Sequence, residues 1–322
     1  MIIHRARKRT QMPGVPGRRD ERIAGRWARS RCYSSFMPRI GATSQGESRL
    51  RMLRIVRRGD RHDPRDLTVS LRYEGGGLTP AFLEGRADAV IPGETLKTFV
   101  HQLARDHAVA EIEPFALALC RRMLDAHRQL SRVRVEVSEQ PWTRMDVGSK
   151  AQGQSFVIGG PELRTATVTS NGTQTAVVSG IDELVLMRTS GFLPRRPGSR
   201  ADDGSEDAVP ALLVGSLSAR WTYSNADVTF GPYRQGVRAS IADTFAMHAA
   251  RSVQYTLYAI AEVVLATYEE ILDITLAMHE RPYRPADLFR AAMENPDDLF
   301  VAAEEPLGVV EVTVERDSVP RP

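Results

Sequence analysis

Residues 237–268 read VRASIADTFAMHAARSVQYTLYAIAEVVLATY, and an alternating apolar run follows from Leu272 to Met278. This stretch is the clearest indication of the fold. Its first part has apolar residues at helical spacing, with a break expected at 250–252. The alternation of the second part is typical of a strand with one buried face. A long, broken helix followed directly by a strand predicts helices packed on a sheet.

The same kinds of element occur earlier in the chain. Apolar alternation predicts strands at 49–56 and 67–71, and helical spacing predicts helices at 93–108 and 112–130. Further strands are predicted at 133–137, 156–158, 165–169, 175–178, 184–187, 212–223 and 309–314. The order strand, helix, strand in both halves indicates an α+β fold, with antiparallel strands carrying helices on one face.

Composition places the boundaries between the parts of the chain. Residues 194–208, PRRPGSRADDGSEDA, contain almost nothing that could be buried, which predicts a mobile loop between two halves. The predicted organisation is a disordered basic tail at 1–45, a first half at 46–193, the loop at 194–208, a second half at 209–317 and a tail at 318–322.

The charge of the chain is unevenly distributed. The first 40 residues hold 11 Arg or Lys and 2 acidic residues, a net +9, whereas the whole chain is +3 and the remainder is therefore −6. Such a basic segment without apolar periodicity is typical of a solvated, disordered tail. Binding to nucleic acid and a role in targeting are the alternatives.

Other features bear on the class of protein. The apolar run 258–266 is far shorter than the roughly 20 residues that a membrane helix needs. Cys32 and Cys120 are the only cysteines and lie far apart, and the histidines lack the spacing of metal ligands. We expect a soluble protein without a metal site. A reducing compartment, with the cytoplasm as the default location, fits the cysteine usage and the absence of a Ser-Lys-Leu ending.

Several segments share their order and spacing with one known family. They are Leu67-Thr68-Val69, Thr95-Leu96-Lys97, Trp142-Thr143-Arg144-Met145-Asp146, Arg220-Trp221, Ser252-Val253-Gln254-Tyr255-Thr256-Leu257-Tyr258, Leu299-Phe300-Val301 and Gly308-Val309-Val310. Over roughly residues 49–316 the chain resembles the urate oxidase (uricase) family. Within these segments, Trp142, Arg144 and Asp146 are interpreted as structural corner residues with internal pairing.

The resemblance implies a tandem tunnelling fold (T-fold) whose antiparallel sheets close into a barrel on oligomerisation. It implies a homotetramer with active sites shared between subunits. The short apolar runs lead us to expect no membrane association, and we expect a solvated tail rather than one that binds nucleic acid. Family members oxidise urate with dioxygen, using neither a metal nor an organic cofactor, and release 5-hydroxyisourate and hydrogen peroxide. The family provides a Lys–Thr proton relay, an arginine clamp, a stacking Phe and a Gln on the purine edge.

Only part of that set is retained here. Val253 and Gln254 match the family pair that binds the substrate. The relay lysine position holds Glu47, and the relay threonine position holds Gly93 followed by Glu94. Thr95 could substitute for the threonine if the loop is shifted.

The remaining site positions have also changed. The arginine clamp position falls on Ala211. The family's late Asn and His align with Met278 and Glu280, although a one-residue gap would place His279 at the histidine position. Phe192 is either the stacking ring or the core Phe that follows it in the family.

These replacements exchange cations for carboxylates and lead to a substrate hypothesis. Glu47, Glu94 and Glu280 would border the pocket and repel urate. The pocket would instead accept a neutral or cationic purine-like, pteridine-like or aminopyrimidine ring, with Gln254 reading its edge and a carboxylate removing a ring proton.

Each of these residues also has a structural interpretation. Glu47 and Glu280 could be solvated charges at strand ends, and Glu94 could be a helix N-terminal residue. Gln254 could cap a neighbouring carbonyl. Two other functions therefore remain open: a catalytically silent binding or assembly subunit, and an enzyme that anchors a pterin through a glutamate, as other tunnelling-fold enzymes do.

Overall fold

The computed structural model describes residues 39–106, 110–189, 212–248, 252–288, 293, 295, 298–303 and 308–317. The predicted loop 194–208 lies outside these residues, as do the tail positions 1–38 and 318–322. The predicted boundaries that depend on them stay predictions.

The described residues form twelve strands and five α-helices. The strands are β1 (Ser44–Arg58), β2 (Arg61–Glu74), β3 (Arg132–Gln140), β4 (Trp142–Val147), β5 (Lys150–Ile158), β6 (Leu163–Ser170), β7 (Thr175–Arg188), β8 (Leu213–Tyr223), β9 (Ile271–Glu280), β10 (Tyr283–Pro285), β11 (Phe300–Ala302) and β12 (Val309–Glu315). The helices are α1 (Thr79–Leu83), α2 (Gly93–Asp106), α3 (Ile112–Ala126), α4 (Phe230–Met247) and α5 (Val253–Thr267).

Eight strands form one sheet in the order β1-β2-β3-β6-β7-β8-β9-β12, and all neighbours are antiparallel. The two small sheets are the hairpins β4-β5 and β10-β11. One pattern of two strands, two helices and two strands occurs twice, as β1-β2-α2-α3-β3-β6 and as β7-β8-α4-α5-β9-β12. By topology, β7 thus belongs with the second repeat, and the turn at 171–174 separates the two.

The helices cover one face of this sheet. In β2 the side chains of Leu67, Val69, Leu71 and Tyr73 are buried, whereas the intervening residues lie on the uncovered face. Helix α3 packs on β3 and β6, and α5 packs on β9 and β12. The buried face of the alternating strands thus packs against the apolar faces of the helices, as the sequence predicts. None of the described helices has the length and apolar character that a membrane span requires.

The break predicted in the stretch 237–268 separates α4 from α5. Helix α5 begins after Ser252, whose side-chain oxygen accepts a hydrogen bond from the backbone N–H of Tyr255 at 3.0 Å. This N-cap satisfies one of the donors that the first turn leaves unpaired. The cap therefore places Val253 and Gln254 at the first two positions of α5.

One prediction about strands is wrong. The runs 175–178 and 184–187 belong to one strand, β7, in which the register shifts between Ile181 and Leu184 around Glu183, a residue with φ of 55°. The shift interrupts the alternation, and the sequence pattern therefore looks like two strands.

The predicted corner residues 142–146 lie in strand β4, whose register against β5 shifts between Arg144 and Asp146. Arg144 forms an ion pair with Asp63 and donates to the Gly153 carbonyl at 2.9 Å, so its partners lie outside this set of three residues.

A buried carboxyl group lies where α3 packs on the sheet. Glu113 is fully buried, and its Oε1 accepts a hydrogen bond from Ser179 Oγ of β7 at 2.5 Å. Burial raises the pKa of Glu113, and the nearby Glu111 raises it further, whereas the Ser179 hydrogen bond and Arg234 lower it. Desolvation of the charged form is the largest of these effects.

Replacing Glu113 by Gln should remove a pH-dependent cost of folding. Because the folded-state pKa is raised, the stabilisation by the protonated carboxyl is complete below the unfolded pKa and is lost as pH rises through the folded value. The melting temperature of Glu113→Gln relative to wild type should therefore increase between pH 4.5 and pH 8, by about 2–4 °C for each kcal/mol regained. Thermal unfolding at several pH values measures this, with the exposed Glu269→Gln as control. A difference that does not change with pH contradicts the prediction.

Candidate functional site

Glu47 and Gly93 are in direct contact. Glu47 pairs with Leu71 in the β1–β2 register, and its side chain therefore lies on the helix-covered face. A Cβ built on Gly93, the first residue of α2, would be 2.1 Å from Glu47 Oε1 and 3.1 Å from its Cδ. The carboxylate thus occupies the space that a side chain at residue 93 would need.

A strand irregularity aims Glu47 at the helix. The register of β1 against β2 shifts between Glu47 and Leu50, and Arg49 adopts a φ of 59° in the extra residues. Such bulges bend a strand and redirect its side chains. The contact with Gly93 therefore depends on local backbone geometry as well as on the residue types.

Glu94 is paired within the first turn of α2. Lys97 Nζ donates to Glu94 Oε1 at 2.8 Å, and this hydrogen bond lowers the pKa of Glu94 and raises that of Lys97. Glu47 also raises the pKa of Lys97, so the ammonium lies within electrostatic range of both carboxylates. Thr95 is half-buried, and its backbone N–H donates to Pro92 O at 3.0 Å. We call Glu47, Gly93, Glu94, Thr95 and Lys97 the α2 cluster.

The second group of predicted residues lies at the start of α5. Val253 is buried and Gln254 is exposed. Within the described part of the chain, the Gln254 side chain makes no hydrogen bond, and so it does not cap a neighbouring carbonyl there. Its amide is available to an external partner.

Strand β9 follows α5 closely in the chain. Only three residues separate the end of α5 from the start of β9, which runs back along the helix. Met278 is buried on the helix-covered face, and Glu280, two residues further, is on that same face, whereas His279 lies on the other. Glu280 Oε2 is 2.7 Å from where a Cβ on Gly308 would stand. We call Val253, Gln254 and Glu280 the α5 cluster.

The two clusters are far apart within one chain. Strands β1 and β9 are six steps apart in the sheet order, which is about 29 Å along the sheet at roughly 4.8 Å per step. One subunit therefore places Glu47 beside the first turn of α2, where Glu94 lies, but keeps this group far from Val253, Gln254 and Glu280. His279 belongs to neither cluster, and Phe192 and Ala211 lie outside the described residues.

Lys97 was not among the site residues predicted from the sequence. The sequence does contain a signal for this ion pair, because Lys97 follows Glu94 by three residues on a predicted helix. Side chains at i and i+3 are neighbours on a helix surface. The ammonium offsets one of the two carboxylates expected here.

Comparison with known proteins gives the family. The family model described as Uricase matches residues 76–169 and 177–311, which is more than half of the chain. The chain belongs to the uricase family. Among its curated relatives, the uricase of Arthrobacter globiformis is 26% identical over 282 residues, covering 86% of this chain and 90% of that protein. The uricase of Dictyostelium discoideum is 29% identical over 277 residues, covering 84% and 95%.

Solved uricase structures share the fold. The crystal structure of the Arthrobacter globiformis uricase matches with a TM-score of 0.79 at 26% identity, covering 89% of this chain and 98% of that one. A uricase from Bacillus fastidious matches with a TM-score of 0.70 at 19% identity, which supports the fold alone. The predicted family and the α+β tunnelling fold are confirmed for this uricase-family chain.

Adding a side chain at Gly93 should move Glu47 without unfolding the protein. The atom that a new Cβ would meet is the end of a flexible side chain, so Gly93→Ala should rotate the carboxylate away at a cost of about 1 kcal/mol or less. A crystal structure of the variant and its melting temperature check both parts. Gly160→Ala, where nothing lies within 4 Å, is the control. An unmoved Glu47, or a variant that fails to fold, contradicts the prediction.

Proposed function

We propose that this chain is a uricase-like oxidase that uses dioxygen to oxidise urate or, in our preferred reading, a related purine, pteridine or aminopyrimidine ring. The proposal includes no metal and no organic cofactor. The observation that carries it is the Glu47 carboxylate held against Gly93, because it puts a proton acceptor at the two relay positions of a family that removes a ring proton. Family membership supports the reaction class.

The proposed reaction is a two-electron oxidation with water as co-substrate. The ring gives up one proton and two electrons, and water adds to it as a hydroxyl group with release of a second proton. Dioxygen takes the two electrons and two protons and leaves as hydrogen peroxide. The protein has to accept the ring proton and hold the ring in place.

Glu47 is our candidate for the proton acceptor. A carboxylate can accept the proton directly, whereas the family relay passes it through a lysine and a threonine. The missing side chain at Gly93 supports this role, because a threonine there would compete with Glu47 for the same space. Thr95, in the first turn of α2, is a further candidate, and Gln254 is the candidate for the purine edge.

The charges of the two clusters support a neutral or cationic ring over the urate anion. Glu47 and Glu280 each bring a carboxylate near the proposed site, and no arginine aligns with the clamp position. Lys97 weakens this argument, because it pairs with Glu94 and reduces the negative charge of the α2 cluster. The preference among substrates therefore depends mainly on Glu47 and Glu280.

A complete site on this proposal takes its two clusters from two chains. The α2 cluster of one subunit would face the α5 cluster of another, since the two are about 29 Å apart along the sheet within one chain at roughly 4.8 Å per strand. Closure of sheets into a barrel, with a homotetramer as the final assembly, would bring them together. Phe192 is a candidate for the stacking ring in that assembly.

The alternative is a catalytically silent subunit that binds a ligand or stabilises an assembly. The observation that favours it is the replacement of the family's relay lysine, relay threonine and clamp arginine positions by Glu47, Gly93 and Ala211. On this reading, Glu47 only fills the space left by Gly93.

Peroxide release and oxygen consumption separate the two functions. The purified chain is incubated under air and under argon with urate and with a panel of aminated purines, pteridines and pyrimidines, without added metal. We expect oxygen-dependent peroxide release with an aminated ring, and a fall of roughly 100-fold or more in kcat for Glu47→Gln because the proton acceptor is lost. Glu84→Gln, an exposed change outside both clusters, is the control.

The other outcomes are equally informative. Turnover of urate above every aminated ring would refute the substrate preference but keep the oxidase. Full activity in Glu47→Gln would refute the role of Glu47. A protein that assembles into tetramers yet is inert with every ring, or that turns over equally under argon, would overturn the oxidase.

A further inference from the structure

Unpartnered buried polar atoms gather at one place between the helices and the sheet. Among the described residues, seven buried side-chain atoms lack a hydrogen-bond partner, and four of these seven belong to one neighbourhood. They are Glu113 Oε2 of α3, Trp221 Nε1 and Tyr223 Oη of β8, and Arg234 Nε of α4. All four residues are at least nine-tenths buried. We call this group the α3–α4 polar cluster.

The members of the cluster face one another. Ser179 lies opposite Trp221 in the β7–β8 register, and its hydroxyl donates to Glu113 Oε1. Tyr223 is two residues beyond Trp221 on the same face of β8. Burial raises the pKa of Tyr223 to about 12, while the neighbouring polar groups of Trp221 and Ser179 lower it. Neither group forms a hydrogen bond of normal geometry with the Tyr223 hydroxyl.

Buried polar groups that face one another without direct hydrogen bonds are commonly joined through a third molecule. A buried polar atom that finds no partner destabilises the folded state, and four at one place would be unusual in a native core. Polar groups close enough to influence one another, yet too far apart to bond directly, are commonly bridged by water. Trp221 Nε1 and Arg234 Nε can only donate, whereas Tyr223 Oη can donate and accept.

We propose that at least one ordered water molecule is bound within the α3–α4 polar cluster, accepting from Trp221 Nε1 and Arg234 Nε and donating to Glu113 Oε2 and Tyr223 Oη. Such a water has four partners, the upper end of what buried waters usually make. It connects α3 of the first repeat to β8 and α4 of the second. The site is thus a polar link between the two repeats of one chain.

Water fits the cluster better than an anion does. The Glu113 carboxyl faces the site, and Glu111 lies beside it, bonded to Arg234 Nη2 at 3.4 Å. The one guanidinium is therefore already paired, and an added anion would meet two carboxyl groups without a free cation. A neutral molecule that both donates and accepts satisfies all four atoms.

A crystal structure of the full chain at high resolution tests the proposal. We expect an electron-density peak about 2.6–3.2 Å from Tyr223 Oη and from at least two of the other three atoms. In Tyr223→Phe the occupancy of that peak should fall, because the water loses one partner. In Tyr73→Phe, the matched control, it should not change, because that hydroxyl bonds the Ile91 N–H directly at 2.9 Å and lies outside the cluster.

Three results would overturn the proposal. One is the absence of any peak among the four atoms, with the side chains closing on each other. Another is an anomalous signal at this position in crystals soaked in bromide, which would identify an anion. The third is a peak of unchanged occupancy in Tyr223→Phe, because the hydroxyl would then have no part in holding it.

Discussion

The arrangement of the main sheet is the constraint on which the other features depend. Its eight strands carry helices on one face, and the outermost strands, β1 and β12, each pair on one side only within the described residues. Edge strands present unpaired backbone groups that invite another chain. The helix N-termini that carry the candidate residues lie toward opposite edges of this sheet. The same topology that builds a large core from two repeats thus separates the two halves of the proposed site.

Ion pairing changes the charge that the acidic residues of the proposed site present to a substrate. The sequence places three glutamates near the proposed site, and their individual surroundings differ. Glu94 is bonded to Lys97, Glu47 is held against Gly93, and Glu280 lies over Gly308. A carboxylate with a lysine partner in the same helical turn contributes little net field. The charge presented to a substrate is therefore set by local partners, and a count of acidic residues overstates it.

Regular patterns made much of the fold predictable. Alternation at 67–71 and helical spacing at 93–108 and 112–130 correspond to β2, α2 and α3, and the break near 250–252 corresponds to the start of α5 at its Ser252 cap. The prediction of two strands in place of β7 has a local cause, because the register shift around Glu183 interrupts the apolar alternation. For the site, the resemblance identifies the positions. It could not reveal the contact of Glu47 with Gly93, which depends on the irregularity after Glu47, nor that Glu280 and His279 lie on opposite faces.

The contact between Glu47 and Gly93 makes the direction of the acid depend on a residue far away in the sequence. The Glu47 carboxylate fills the volume beside Gly93, and a larger residue at 93 would turn that carboxylate toward another position. A change at residue 93 would therefore act first by displacing the acid, because the end of a flexible side chain moves more easily than the backbone around it. The first residue of α2 thus controls where a functional group of β1 points.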